Sequence, residues 1–248
     1  MEMNNFYASD STLSYCLSFV KTEFGLSDEN VANVLDLYVS LNLKQAKFDI
    51  AEKYCLESVK IKEQKKGKQS IGYLNSTLDL VSIYLATSKY QESEDILKEN
   101  LNIIESNFDI RSPIATRVYD ILSEYHENYM NYKQAENFAK KSVNGRVYWN
   151  GTYDIRTATS YHNLASALYY QSKYDDADSL YSLALKIKKY YKGFESPSYA
   201  NSLNGLSLIY IERDSLKLAN EYLNYCLEVY KNSLGVKHPD YATILANK

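Results

Sequence analysis

The sequence has little of what interrupts a helix. It holds only 3 prolines and 8 glycines in 248 residues, too few for the turns of a many-stranded β fold. It is also poor in staples. Its 3 cysteines, Cys16, Cys55 and Cys226, stand far apart. An odd number without close pairs argues against a disulfide framework or a zinc knuckle and fits a reducing compartment. No apolar run approaches the roughly 20 residues a membrane span needs. Met1 to Asp10 lack the positive start and apolar run of a signal peptide. A formal charge of −3 leaves no basic excess to displace counterions from a nucleic acid. The glycines do not cluster into a phosphate-cradling loop. The 3 histidines, His126, His162 and His238, have no metal-binding spacing. These absences predict a cytoplasmic chain with no cofactor, metal or catalytic site and no nucleic-acid or membrane partner.

What is present is a repeat. Gly25, Gly67, Gly151, Gly193 and Gly235 lie 42 residues, or twice 42, apart, and Asp109 fills the missing place. Pro113, Pro197 and Pro239 keep the same step, with Ile155 in the skipped slot. Ala51, Ser93, Ala135, Ala177 and Ala219 form a column of small residues. Three residues before each comes Phe48, Tyr90, Tyr132, Tyr174 or Leu216. Tyr38, Leu80, Leu122, Leu164 and Leu206 form another column, and so do Val59, Leu101, Val143, Leu185 and Leu227. So many columns in one phase define a unit.

Each repeat reads as two helices. Asp28, Ser70, Ser112, Asp154, Ser196 and His238 precede the first, where a side-chain oxygen accepts from open amides. The proline slot follows, at the position where a missing amide costs nothing. Tyr161, Leu164, Ala165 and Leu168 make one apolar stripe. A short polar turn such as Ser88-Lys89 or Ser172-Lys173 leads to the second helix, which opens at the aromatic. Ala177, Tyr181, Ala184, Leu185 and Lys188 mark its inner face, the lysine stem lying along it. The glycine column is expected to end it in a left-handed conformation. Phe6, Ser9, Leu13 and Leu17 match Phe48, Ala51, Cys55 and Val59. Residues 1–27 therefore read as a second helix. Repeats follow at 28–69, 70–111, 112–153, 154–195 and 196–237, and a further one begins at 238–248. The ragged ends suggest an array that continues in a longer protein.

The column residues of the fourth full repeat, Tyr161, Leu164, Ala165, Leu168, Tyr174, Ala177, Tyr181 and Ala184, resemble the tetratricopeptide pattern. The 42-residue step, Asn163-Leu164-Ala165 and the closing Gly235 to Asp240 are similar to the kinesin-light-chain kind. Related arrays also stand beside bacterial caspase-like (CHAT) protease domains. The resemblance implies an all-α fold, a right-handed α-solenoid of antiparallel helix pairs with first helices lining a concave groove. It places Asn33, Asn75, Arg117, Thr159 and Asn201 in that groove. Three residues on come Asp36, Leu78, Asp120, His162 and Asn204, then Asp79 and Asn163, then Glu124 with Ser40, Ser82 and Ser166. Lys44, Asn128, Tyr169 and Tyr170 come late in the helix.

Asn side chains donate and accept, so a ladder of them suits an extended peptide backbone of any sequence. The family's two-carboxylate clamp of Lys, Asn and Arg is not matched here, and Glu124 and Glu127 favour a neutral or mildly basic ligand. The expected function is therefore protein or peptide binding, as a regulatory or adaptor part. A structural scaffold that stacks end to end is the alternative. A signalling-peptide receptor would add a DNA-binding or three-helix region, and neither is visible. Lys60, Lys62, Lys65, Lys66 and Lys68 read as a solvated helix end, Trp149 as a residue packing between repeats, and His126 and Cys55 as packed side chains.

Overall fold

A computed structural model describes residues 2–248, with side chains described from Asp10 onward. The matches noted at Phe6 and Ser9 lie outside the described side chains. Among the described residues there is only helix and turn. The helices are α1 (Glu2–Phe24), α2 (Glu29–Lys44), α3 (Phe48–Lys66), α4 (Ile71–Ala86), α5 (Tyr90–Asn107) and α6 (Pro113–Asn128). They continue as α7 (Tyr132–Asn150), α8 (Ile155–Tyr169), α9 (Tyr174–Lys192), α10 (Pro197–Glu212), α11 (Leu216–Ser233) and α12 (Pro239–Asn247). The first helices of successive pairs start 42 residues apart, at Glu29, Ile71, Pro113, Ile155, Pro197 and Pro239. The second helices keep the same step from Phe48 to Leu216.

The chain divides into two compact units, Met1–Phe108 and Asp109–Lys248. Each has its own core. In the N-terminal unit Val31, Ala32, Leu35 and Ile61 are buried under Leu17 and Val20 of α1. A second cluster joins Val39, Ala51, Cys55, Leu80, Ile83 and Tyr84. In the C-terminal unit one cluster runs from Ala139 through Leu164, Ala165, Ala177 and Tyr181 to Cys226, Tyr230 and Ile244. Each fully buried aliphatic side chain contributes about 1.5–3 kcal/mol. The small column from Ala51 to Ala219 is buried throughout, which lets paired helices approach.

The caps follow the sequence reading. Asp28, Ser70, Ser112, Asp154, Ser196 and His238 each accept from a first-turn amide. The C-terminal ends bring a correction. The glycines that close α3, α7 and α9 have positive φ but ψ near 170°, as at Gly67 (φ 76°, ψ 169°). That is the extended glycine-only region, not the left-handed helical one. The expected left-handed cap instead ends the first helices, at Ala46, Ser88, Met130, Ser172 and Asp214, with φ of 53–59°. At Met130 its amide bonds to Glu127 O (2.9 Å) and the next amide to His126 O (2.8 Å), a Schellman motif. Where Asp109 replaces the glycine, α5 stops at Asn107 and Phe108 is extended. Asp109 Oδ1 then accepts from the Arg111 amide at 2.8 Å.

Two further expectations change. Trp149 is exposed and meets Tyr148 edge-on, rather than packing between repeats. Lys62 is not part of a solvated helix end: it is buried and ion-paired with Asp36. Lys66 and Lys68 remain at the surface, paired with Glu29 and Glu99. His126 does pack, stacking on Phe138, and the Cys55 thiol donates to Ser76 O. Among the described residues no helix is long and apolar enough to cross a membrane, and no cluster of His, Cys, Asp or Glu could hold a metal ion.

Candidate functional site

The candidate groove residues divide between the units. Asn33, Asp36, Asn75 and Asp79 belong to the N-terminal one. Asn33 is exposed and the other three half-buried. In the C-terminal unit Thr159 and Asn201 are exposed, and Arg117, His162, Asn163, Tyr169 and Asn204 half-buried.

The column of Asp36, Asp120 and His162 does not simply face outward. It forms one corner of a buried polar node that ties a first helix to its own second helix and to the next first helix. In the first such node Asp36 accepts from Lys62, from Ser58 Oγ at 2.6 Å and from Ser76 Oγ at 3.0 Å. In the second, Asp120 pairs with Arg146 Nη2 at 3.1 Å and accepts from Ser160 Oγ at 2.9 Å, which meets Ser142 Oγ at 2.8 Å. In the third, the aspartate's place is taken by His162. Lys188 Nζ donates to Ser202 Oγ at 2.7 Å, and Ser202 Oγ lies 3.1 Å from His162 Nδ1. Ser202 Oγ accepts from the ammonium, which leaves its own proton free to be donated to Nδ1. The Tyr181 ring packs edge-on against His162 at 5.3 Å.

Above this third node opens a polar pocket of about 490 Å³. Glu124, Glu127 and Asn128 come from α6; Thr159, His162, Asn163 and Ser166 from α8; Ser198 and Asn201 from α10; and Lys188 from α9 forms its floor. Seven of the sequence candidates are thus brought together: Glu124, Asn128, Thr159, His162, Asn163, Ser166 and Asn201. The helical step explains it, because positions three, four and seven apart share one face, and equal register repeats that face on α6, α8 and α10. Asp120 and Asn204 lie outside the lining. Asn204 Oδ1 accepts from Asn247 Nδ2 at 3.0 Å. Tyr169 donates to Glu212 Oε1 at 3.4 Å. Asn201 lines the pocket and also accepts from Tyr230.

The pocket's charges are poorly compensated. Glu127 accepts from Ser166 Oγ at 2.7 Å. Burial outweighs that bond, and with the neighbouring charge of Glu124 it pushes the Glu127 carboxyl up to about 7. Glu124 keeps a water-exposed edge, yet the concave walls strip water from its carboxyl, and Asp120 adds negative charge, so its pKa is raised too. His162 is pushed down to about 3 by burial and by Lys188, so it is neutral near pH 7. Burial alone lowers Lys188 to about 8. Sequence reading missed Ser198 and the role of Lys188, which it took for a stem on a packed face. Its spacing marks the inner face; only the packing of α9 under α8 and α10 shows where the ammonium ends.

The comparisons agree with this architecture. Residues 156–232 match the model of the tetratricopeptide repeat family. No curated protein sequence matches the chain. Solved structures that share the fold include three similar over nearly the whole of this chain. BtubC (BKLC) from P. vanneervenii is 15% identical with a TM-score of 0.66, over 96% of this chain and 93% of that one. A Rap protein complexed with competence and sporulation factor is 13% identical with a TM-score of 0.72, over 96% and 68%. NprR in complex with its cognate peptide NprX is 13% identical with a TM-score of 0.70, over 97% and 71%.

Proposed function

Taking the chain as a tetratricopeptide-repeat array, we propose that it is a peptide-binding module that holds an extended segment in the C-terminal unit's pocket, as the sensing or adaptor part of a regulated system. The single observation that carries this reading is the pocket itself. Three first helices in equal register line a polar concavity with amides, hydroxyls and two carboxylates. Asn163 and Asn201 offer donor and acceptor together, which suits a peptide backbone. No cation of the described residues lies within ion-pair distance of Glu124 or Glu127. Two such carboxylates call for a basic side chain, whose binding would also restore the charge balance. The likeness of fold to NprR, solved with its cognate peptide, supports the same reading.

A direct test uses fluorescein-labelled hexapeptides with amidated C-termini. One pool fixes a central Arg and draws the rest from Ala, Ser, Asn and Leu; a second replaces the Arg by Gln. The Arg pool should bind the intact chain about tenfold more tightly, and Glu124→Gln with Glu127→Gln should remove that advantage. Equal binding of both pools, or an advantage that survives the double substitution, would sink the reading.

A scaffold role has one observation in its favour. Tyr153, Ile187, Tyr190 and Tyr191 line an apolar surface hollow of about 550 Å³ beside Lys186 and Lys189. Exposed aromatic patches of this kind seat neighbours. Mass growing with concentration in light scattering, and lost in Tyr190→Ser with Tyr191→Ser, would support it; a constant monomer mass would not.

A further inference from the structure

Three buried nodes share one register in the chain, and two of them are closed ion pairs. Lys62 has Asp36 and Arg146 has Asp120. Lys188 occupies the same place in the third node and is as buried, at 3% exposure. Its aspartate is replaced by His162, which is neutral, and no carboxylate of the described residues lies within ion-pair distance. A buried cation with a hydroxyl for its only hydrogen-bond acceptor is costly to hold. Of the three node cations, this one forms the floor of the polar pocket.

We propose that Lys188, steadied by Ser202, is an anion subsite that takes a carboxylate of the bound peptide in place of the missing aspartate. The inference rests on the peptide reading and deepens it. The ligand then carries two opposite charges: a basic group against Glu124 and Glu127 on α6, and a carboxylate reaching the floor from α9. A charge-assisted bond from the ammonium to that carboxylate completes the node as Asp36 and Asp120 complete theirs. His162 remains neutral beside it. A single ammonium with one histidine differs from a two-carboxylate clamp of several cations, so it selects one carboxylate and not two.

A carboxylate has two sources in a peptide, an acidic side chain or the free C-terminus. Two further labelled pools separate them. One adds a fixed Glu to the Arg pool and keeps the amide; the other keeps the Arg pool free of Glu and leaves the C-terminus unblocked. Binding to the intact chain is read by anisotropy against the amidated Arg pool. At least one carboxylate pool should bind about tenfold more tightly, the effect of one charge-assisted hydrogen bond. Lys188→Met should erase that gain, so that on the variant the carboxylate pools bind no more tightly than the amidated Arg pool measured on the same variant. Methionine keeps the stem and removes a buried unpaired charge, so the variant is expected to fold, which circular dichroism checks. If the carboxylate pools show no gain in the wild-type chain, the subsite is wrong, and that comparison needs no variant. A gain that survives Lys188→Met places the carboxylate elsewhere and also overturns it. Failure of every pool to bind would overturn the peptide reading and the subsite together.

Discussion

Two columns of positive φ punctuate the array, and they are filled by different residue types. At Gly67 the backbone is at φ 76° and ψ 169°, and a Cβ there would touch nothing within 4 Å. Any cost of Gly67→Ala is therefore backbone strain alone, about 1–3 kcal/mol. Met130 sits at φ 55° with its side chain exposed. A non-glycine residue there carries left-handed strain of about 1–2 kcal/mol, partly offset by its smaller entropy loss on folding. Met130→Gly should therefore stabilise by up to about 1 kcal/mol while Gly67→Ala destabilises. Urea midpoints of the two variants test the pair, and shifts of the same sign would refute the account. The glycines were legible in sequence as a column, but their ψ was not. Their regular spacing says that the backbone turns there, not which of two positive-φ regions it enters.

Between elements, two helices carry a glycine in their middle where a neighbour leaves no room for a Cβ. A Cβ on Gly205 of α10 would overlap the buried Tyr181 ring of α9. A Cβ on Gly145 of α7 would overlap Thr116 of α6 and come within 3.0 Å of the Arg111 carbonyl. Gly205→Ala should cost about 1–3 kcal/mol by overpacking and push Tyr181 against His162. Tyr181→Leu, which shortens the opposing side chain, should be less than additive with Gly205→Ala in a double-mutant cycle of thermal unfolding. Full additivity would show that the two do not meet. The sequence places Gly205 in the column of Asn163 and reveals nothing unusual about it. A register shows which residues are equivalent, whereas a close approach depends on the size of a partner on another helix.

For the molecule as a whole, the pocket links stability to pH in a definite direction. Glu127 has a folded value of about 7, above the ordinary 4.5. Between those values the folded chain holds a proton that the unfolded chain releases. Its contribution is fully present below about 4.5 and is lost as pH rises through 7. Glu136 acts oppositely. Burial pulls its carboxyl up, but Lys140, Lys173 and Gln171 overcome it and hold it at about 2. Its stabilisation exists above 4.5 and is lost as pH falls through 2, a separate window. Glu127→Gln should therefore flatten the fall in stability between pH 5 and 8 and raise the melting temperature at pH 8. An unchanged pH profile in that variant would place the carboxyl in water.

The helical pairs, their 42-residue step, the N-terminal caps and the apolar stripes all follow from the sequence by itself. They depend on local spacing and on residue types whose preferences act within a turn or two. Glu124, Thr159, His162, Asn163 and Asn201 were likewise reachable, because equal register on successive first helices puts them on one face. The tertiary structure alone decided which polar columns are locked inward and which line the pocket. Asp36 and Asp120 became closed ion pairs because a lysine and an arginine from the paired helix reach them. Lys188 stayed without a counter-ion because its opposite position holds a histidine. Such partnerships form between helices, at distances that only packing sets.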